Sequence, residues 1–199
     1  MQVSMQGAVA VTNHIGLLGN FSYGNSNSNI SSNIGSYHRH KFFEGGIGYF
    51  KNKDKWVYEI FAGYGTGEGS GRDSNGNDKI ETASSKFQRY FIQPAFGLNK
   101  RKFQLSFVPR IALVDLTEFK SNVFDNRNVA AAADDPTLFI EPAAIGRFSL
   151  LQNRMFLVGQ SGLSFALREI HYDYCPFYVS VGIGFRLGGV RKEVTSQTE

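Results

Sequence analysis

Six charged residues recur at alternate positions of otherwise apolar or glycine-rich segments: Glu44, Glu59, Arg89, Arg110, Glu141 and Arg147. Each shares a face with small or polar residues such as Gly46, Gly63, Gln93, Ser106 and Gln160. An unpaired charge in a narrow interior is costly, whereas acids and bases that hydrogen-bond one another offset their desolvation. The spacing therefore predicts a charge network that plugs a polar lumen. A gated pore is the functional alternative, but a small barrel encloses little space, which favours the plug.

Other chemistries are weaker. Asp73, Asn75, Asn77 and Asp78 resemble the start of a calcium loop, yet Gly76 falls at the fourth position and the twelfth is Ser84 rather than Glu. The series Gly63, Gly65, Gly67, Gly69 starts on a strand pattern with no helix after it, so a nucleotide-binding turn is not expected. His14 sits in a tight turn, His38 and His40 in a long polar stretch, and His171 near the last such stretch. Ser164 with His171 is a conceivable nucleophile and base, but nothing in the spacing requires it. The expectation is no catalytic residue, no metal and no cofactor.

These residues must be positioned by strands. Apolar and polar residues alternate through segments near 2–12, 15–24, 42–51, 56–66, 86–99, 102–116, 137–151, 155–168 and 176–187, and helical spacing competes in none of them. The Ala-rich stretch Val129 to Ala133 is too short for an independent helix and is halted by Asp134-Asp135-Pro136. Connections alternate in length. Asn13-His14, Asn52 to Lys55, Asn99 to Arg101 and Gln152 to Arg154 are tight, while 25–41, 67–85 and 117–136 are long, polar and expected to be solvated loops.

This pattern predicts an all-β, up-and-down antiparallel transmembrane β-barrel of 8–10 strands, with short periplasmic turns and long extracellular loops. Nine segments are visible, whereas a closed, wholly antiparallel barrel needs an even number. Either one more strand lies upstream of residue 1, making ten, or residues 2–12 stay outside an eight-stranded sheet. Pro94, Pro109 and Pro142 interrupt strand patterns, and bulges are expected there.

Bulk decides which face points outward. One face carries Ile15, Leu17, Ile47, Ile60, Ile92, Leu105, Ile111 and Val181, flanked by aromatics. Tyr49, Trp56, Tyr58, Phe96, Phe103, Phe148 and Phe185 lie toward the tight turns. Phe21, Tyr23, Phe43, Tyr64, Tyr90, Phe165 and Phe177 lie toward the long connections. Aliphatics between two aromatic girdles are the signature of a lipid-facing wall. A soluble barrel would invert the faces and spread Lys along its strands, but Lys51, Lys53, Lys55, Lys100 and Lys102 cluster at strand ends and turns. Ordinary sandwich-core residues are the remaining explanation for the aromatics, which favour strands anyway.

Composition agrees with many short strands in one domain. The chain has 199 residues with 22 Gly, 18 Phe and 9 Tyr, and its one Cys excludes an intramolecular disulfide. Mean hydropathy is −0.23 and no stretch is long and apolar enough for a membrane helix, which says nothing against a membrane barrel. The net charge of +4 is not gathered on one element with aromatic interleaving, so nucleic acid is not an expected partner. No signal peptide opens the chain, so an export signal is expected to be removed or to lie upstream.

The last strand pattern, Ser180-Val181-Gly182-Ile183-Gly184-Phe185-Arg186-Leu187, resembles the C-terminal insertion signal of bacterial outer-membrane barrels, with Ser180, Gly182, Phe185 and Leu187 in the diagnostic places. With the loop pattern, the chain resembles the small outer-membrane β-barrel proteins of the OmpX and OmpA type. The resemblance implies a barrel over residues 1–189 and a short polar tail over 190–199, in the bacterial outer membrane. It implies outer-membrane lipids and the barrel-insertion machinery as partners, with a protein or polysaccharide ligand possible at the loops. A non-enzymatic envelope protein is the expected function. A lipid-modifying outer-membrane enzyme and a soluble ligand-binding barrel are the alternatives.

Overall fold

The computed structural model describes residues 2–28, 36–74, 80–100, 102–122, 135–150, 154–168 and 176–185. Every alternating segment forms a strand: β1 (Gln2–Ala10), β2 (Ile15–Ser28), β3 (Ser36–Lys53), β4 (Trp56–Ser74), β5 (Ile80–Asn99), β6 (Phe103–Ser121), β7 (Thr137–Leu150), β8 (Met155–Leu163), the two-residue β9 (Phe165–Ala166) and β10 (Phe177–Phe185). They pair antiparallel in the order β1-β2-β3-β4-β5-β6-β7-β8-β10, with β9 on β7, and the up-and-down sheet curls into a half-barrel. Among the described residues there is no helix. Residues 2–10 pair with β2 along their whole length, which removes the eight-stranded alternative.

Tight turns close one end. Lys53 pairs with Trp56 around Asp54, whose φ of 53° supplies the left-handed conformation that a two-residue hairpin demands. At the β1–β2 turn the Thr12 hydroxyl accepts the amides of His14 at 3.2 Å and Ile15 at 2.9 Å.

At the other end the expected long loops are largely strand. β2 runs to Ser28 and β3 starts at Ser36; β4 runs to Ser74 and β5 starts at Ile80; β6 runs to Ser121. Ser, Thr, Asn and Gly there form ladder pairs such as Ser70 with Ser84, with no alternation of polarity to betray them. The Val129 to Ala133 stretch and the 190–199 tail lie outside the described residues.

The prolines do not create bulges. Pairing between β5 and β6 stops at Ile92 with Ile111 and resumes at Phe96 with Phe107 in the same register, which sets Pro94 opposite Pro109. Neither has an N–H, so the ladder lapses without slipping. Pro109 in turn faces Pro142 within the β6–β7 pair. The one irregularity of register in the β5–β6 pair lies at Lys86/Phe87 instead.

Inside the curl, Phe61, Phe91, Ala112 and Phe139 form a buried cluster, and Ala95, Val108 and Ala143 a second. Glycine makes the first possible. A Cβ on Gly48 would lie 2.4 Å from the Phe61 ring, and one on Gly63 2.5 Å from the Phe91 ring, so each phenylalanine lies flat over a glycine of the adjacent strand. The outer strands β1 and β10 are not paired to each other. Both run from the long-hairpin end toward the tight turns, and β10 is exposed at eight of its nine positions. Across the lumen the Gln6 amide donates to the Gln160 side-chain oxygen at 3.4 Å.

Candidate functional site

The register places all six charges on the concave side, where they line one cavity of about 1020 Å³. Four of them pair. Glu44 is fully buried on β3, and its Oε1 accepts from Arg110 Nη1 at 2.8 Å and from Asn20 Nδ2 at 2.6 Å. Arg110 also donates Nε to Gln93 Oε1 at 2.8 Å and lies 4.6 Å from the Phe91 ring centre. Arg89 bridges to Glu141, whose second oxygen accepts the Ser164 hydroxyl at 3.3 Å, and the Arg89 guanidinium sits 5.9 Å from the Phe42 ring centre.

These contacts cross the cavity rather than following the sheet, because Glu44 and Arg110 stand on β3 and β6, and Arg89 and Glu141 on β5 and β7. Cation–π contact and charge-assisted hydrogen bonds compensate the desolvated guanidinium groups. Two atoms remain unsatisfied: Glu44 Oε2 and Arg89 Nε are buried without a hydrogen-bond partner. Glu59 and Arg147 line the same cavity without a direct ion pair among the described residues, and Arg147 acts on Glu59 through space, so the six charges form two direct pairs and one looser acid–base couple.

The interior is also less polar than alternation predicts. Phe42, Phe50, Phe61, Phe87 and Phe139 line the cavity, and Phe91 is buried beside it. They share strand faces with Glu44, Glu59, Arg89 and Glu141, and the signal that marks them is a small residue across the sheet: a glycine at the facing or diagonal position for Phe42, Phe50, Phe61, Phe87 and Phe91, and Ala112 facing Phe139. Phe42 and Phe87 stack at 5.8 Å over the Gly65–Gly67 segment.

The Ser164 hydroxyl is engaged with Glu141, and His171 lies outside the described residues. His40 Nε2 contacts the Ser22 hydroxyl at 3.3 Å, and His14 stacks on Tyr49 at 5.5 Å. Of the calcium-like stretch, Asn75, Asn77 and Asp78 lie outside the described residues, and Ser84 is a ladder partner of Ser70.

On the convex side, Tyr23, Phe43, Tyr49, Trp56, Tyr58, Tyr64, Tyr90, Phe96, Phe103, Phe148, Phe165, Phe177 and Phe185 are all exposed, and Phe21 is half-buried beside its ladder partner Met5. Ile47, Ile60, Ile92, Leu105 and Ile111 between them are exposed as well. Several meet across strands: Tyr64 and Tyr90 at 5.2 Å, Tyr58 and Phe96 at 6.2 Å. Ser180 and Gly182 point to the concave side and Phe185 to the convex one, while Leu187 lies outside the described residues. No protein family matches the chain, and neither a curated protein nor a solved structure matches it.

Proposed function

We infer that the chain is an integral β-barrel protein of a bacterial outer membrane, with a lumen stoppered by its own side chains. The observation that carries this reading is the inverted polarity of the wall. Large aliphatic and aromatic side chains stand exposed on the convex face, while the Glu44–Arg110 and Arg89–Glu141 pairs are sequestered on the concave one. In water such a wall is an aggregation surface; in lipid it is a solvated one. A soluble ligand-binding barrel needs the opposite arrangement. The C-terminal strand pattern and the resemblance to small outer-membrane barrels support the same compartment. The role is non-enzymatic, with the polar upper hairpins offered to the surroundings.

Strand length supports the placement. β3 to β6 have 18, 19, 20 and 19 residues, about 60 Å of chain. Tilted by about 40°, they rise about 45 Å, well beyond an apolar band of about 25 Å. The excess is the polar part of the hairpins.

Fractionation tests the reading: expressed with an export signal, the protein is expected in the detergent-extracted outer membrane, and a protein soluble in the periplasm without detergent overturns it. Planar-bilayer recording tests the stopper. Wild type should show no stable conductance, and Arg89→Ala or Arg110→Ala should open one; large conductance from wild type contradicts the stopper.

A further inference from the structure

The upper hairpins of β3 to β6 carry two differently charged rows on the convex face. In the lower one, Lys41 faces Glu68, Glu68 faces Lys86, and Lys86 faces Glu118, so cations and anions alternate across four strands. Lys86 and Glu118 pair at 3.0 Å. This row balances itself.

The level above does not. Arg39 faces Ser70, Ser70 faces Ser84, Ser84 faces Lys120, and Arg72 faces Thr82. Three cations thus surround a floor of three hydroxyls. Arg39, Lys120, Ser84 and Thr82 are exposed, and Arg72 and Ser70 half-buried. None of the three cations joins an ion pair among the described residues, although Lys120 acts on Glu118 through space. Arg72 Nε is buried without a hydrogen-bond partner. A half-buried guanidinium whose Nε is unsatisfied, beside a second Arg, a Lys and small hydroxyl donors, is equipped for a tetrahedral oxyanion.

We propose that Arg39, Arg72 and Lys120, with Ser70, Ser84 and Thr82, bind a phosphate monoester on the headgroup of a membrane lipid. This rests on the membrane reading above. Arg39 lies four residues beyond Phe43 on the same face of β3, about 10 Å higher in a tilted strand. That level belongs to headgroups, so the patch continues the lipid-facing wall upward. A phosphate borne on a sugar-like headgroup reaches it; one buried at the glycerol does not.

The test uses the full chain refolded into phosphatidylcholine vesicles, and spin-labelled lipid selectivity as readout. Phosphatidylinositol monophosphate should be enriched at the protein over phosphatidylinositol, which lacks the monoester. Each cation near an anionic surface is worth about a factor of five before screening, so Arg39→Gln/Arg72→Gln/Lys120→Gln should cut the selectivity by about tenfold or more. Lys86→Gln should leave it unchanged. Equal loss with Lys86→Gln, no preference for the monoester in wild type, or full competition by soluble inositol phosphate overturns the lipid assignment. Failure to insert into phosphatidylcholine alone defeats the membrane reading instead, and so separates the two.

Discussion

The tall wall of β3 to β6 and the short wall of β1, β8 and β10 are built from similar residues and behave differently. In the tall wall every glycine at the centre of the concave face is covered: a Cβ on Gly48, Gly63, Gly65 or Gly67 would come within 3 Å of a ring, a side chain or a carbonyl. In the short wall the concave glycines are covered unevenly: a Cβ on Gly162 would lie 2.6 Å from the Tyr178 ring, whereas one on Gly182 would meet nothing within 4 Å. The same residue type is packed against at every central position of one region and at only some concave positions of the other. Strand length follows suit, with 18 to 20 residues on one side and nine in each of β1, β8 and β10. Order comes from side chains that cross the lumen, and these originate mainly in the tall wall.

The largest effect should come from breaking the deepest crossing. Arg110→Met leaves the Glu44 carboxylate buried without its cation, at a cost of about 3–5 kcal/mol. Gln6→Ala removes the crossing contact of the short wall and should cost no more than about 0.5 kcal/mol. Denaturant unfolding in lipid measures both, and equal costs would erase the distinction between the walls.

Next comes the convex face. In the proposed membrane setting Ile60→Arg should cost about 2–4 kcal/mol, with a smaller cost in a thinner bilayer. Indifference to thickness would point to a protein core at Ile60 rather than lipid. The glycines follow. Gly63→Ala drives a methyl to within 2.2 Å of the Gly45 carbonyl and should cost about 1–3 kcal/mol, whereas Gly159→Ala should be neutral or slightly stabilising.

The smallest effect belongs to the Lys86–Glu118 pair. The hydrogen bond and charge of Lys86 hold the Glu118 carboxyl below its ordinary range. A depressed folded-state value means that stability is gained above the unfolded value and lost as pH falls through the folded one. Both side chains are about half exposed, so the effect is slight and fades with salt. NMR titration should show Glu118 moving back up in Lys86→Gln; an unmoved value would assign the shift to other neighbours.

Strand positions were legible wherever one face is apolar and the other is not, as in Phe43 to Phe50 or Phe103 to Leu113. Their upper extensions were not, because Glu68 to Arg72 and Thr82 to Ser85 are small or polar at successive positions on both faces and leave no period to read. The charged residues of the lumen were visible as charges out of place, but their partners depend on the tilt of the strands, and that tilt is a property of the curled sheet. Glu59 and Arg147 share the pattern of the others, yet they act on each other only through space and form no direct ion pair. The concave phenylalanines escaped because alternation sorts residues by neighbour along the chain. Phe61 is explained by Gly48 and Phe91 by Gly63, across the sheet. Proline was over-read: its missing N–H costs ladder bonds at Pro94 and Pro109, but facing another proline it forces no slip in register.

The like sense of β1 and β10 imposes a rule of symmetry on how this sheet can meet another. Joining the two edges directly places a single parallel pair, with slanted hydrogen bonds, in a sheet that is otherwise antiparallel throughout. Pairing β10 of one copy with β10 of a second through a two-fold axis preserves the antiparallel pattern, but it turns the second copy upside down. In the proposed membrane setting, two molecules inserted the same way up can therefore join through identical edges only by a parallel pair, which departs from the antiparallel pattern of the rest of the sheet.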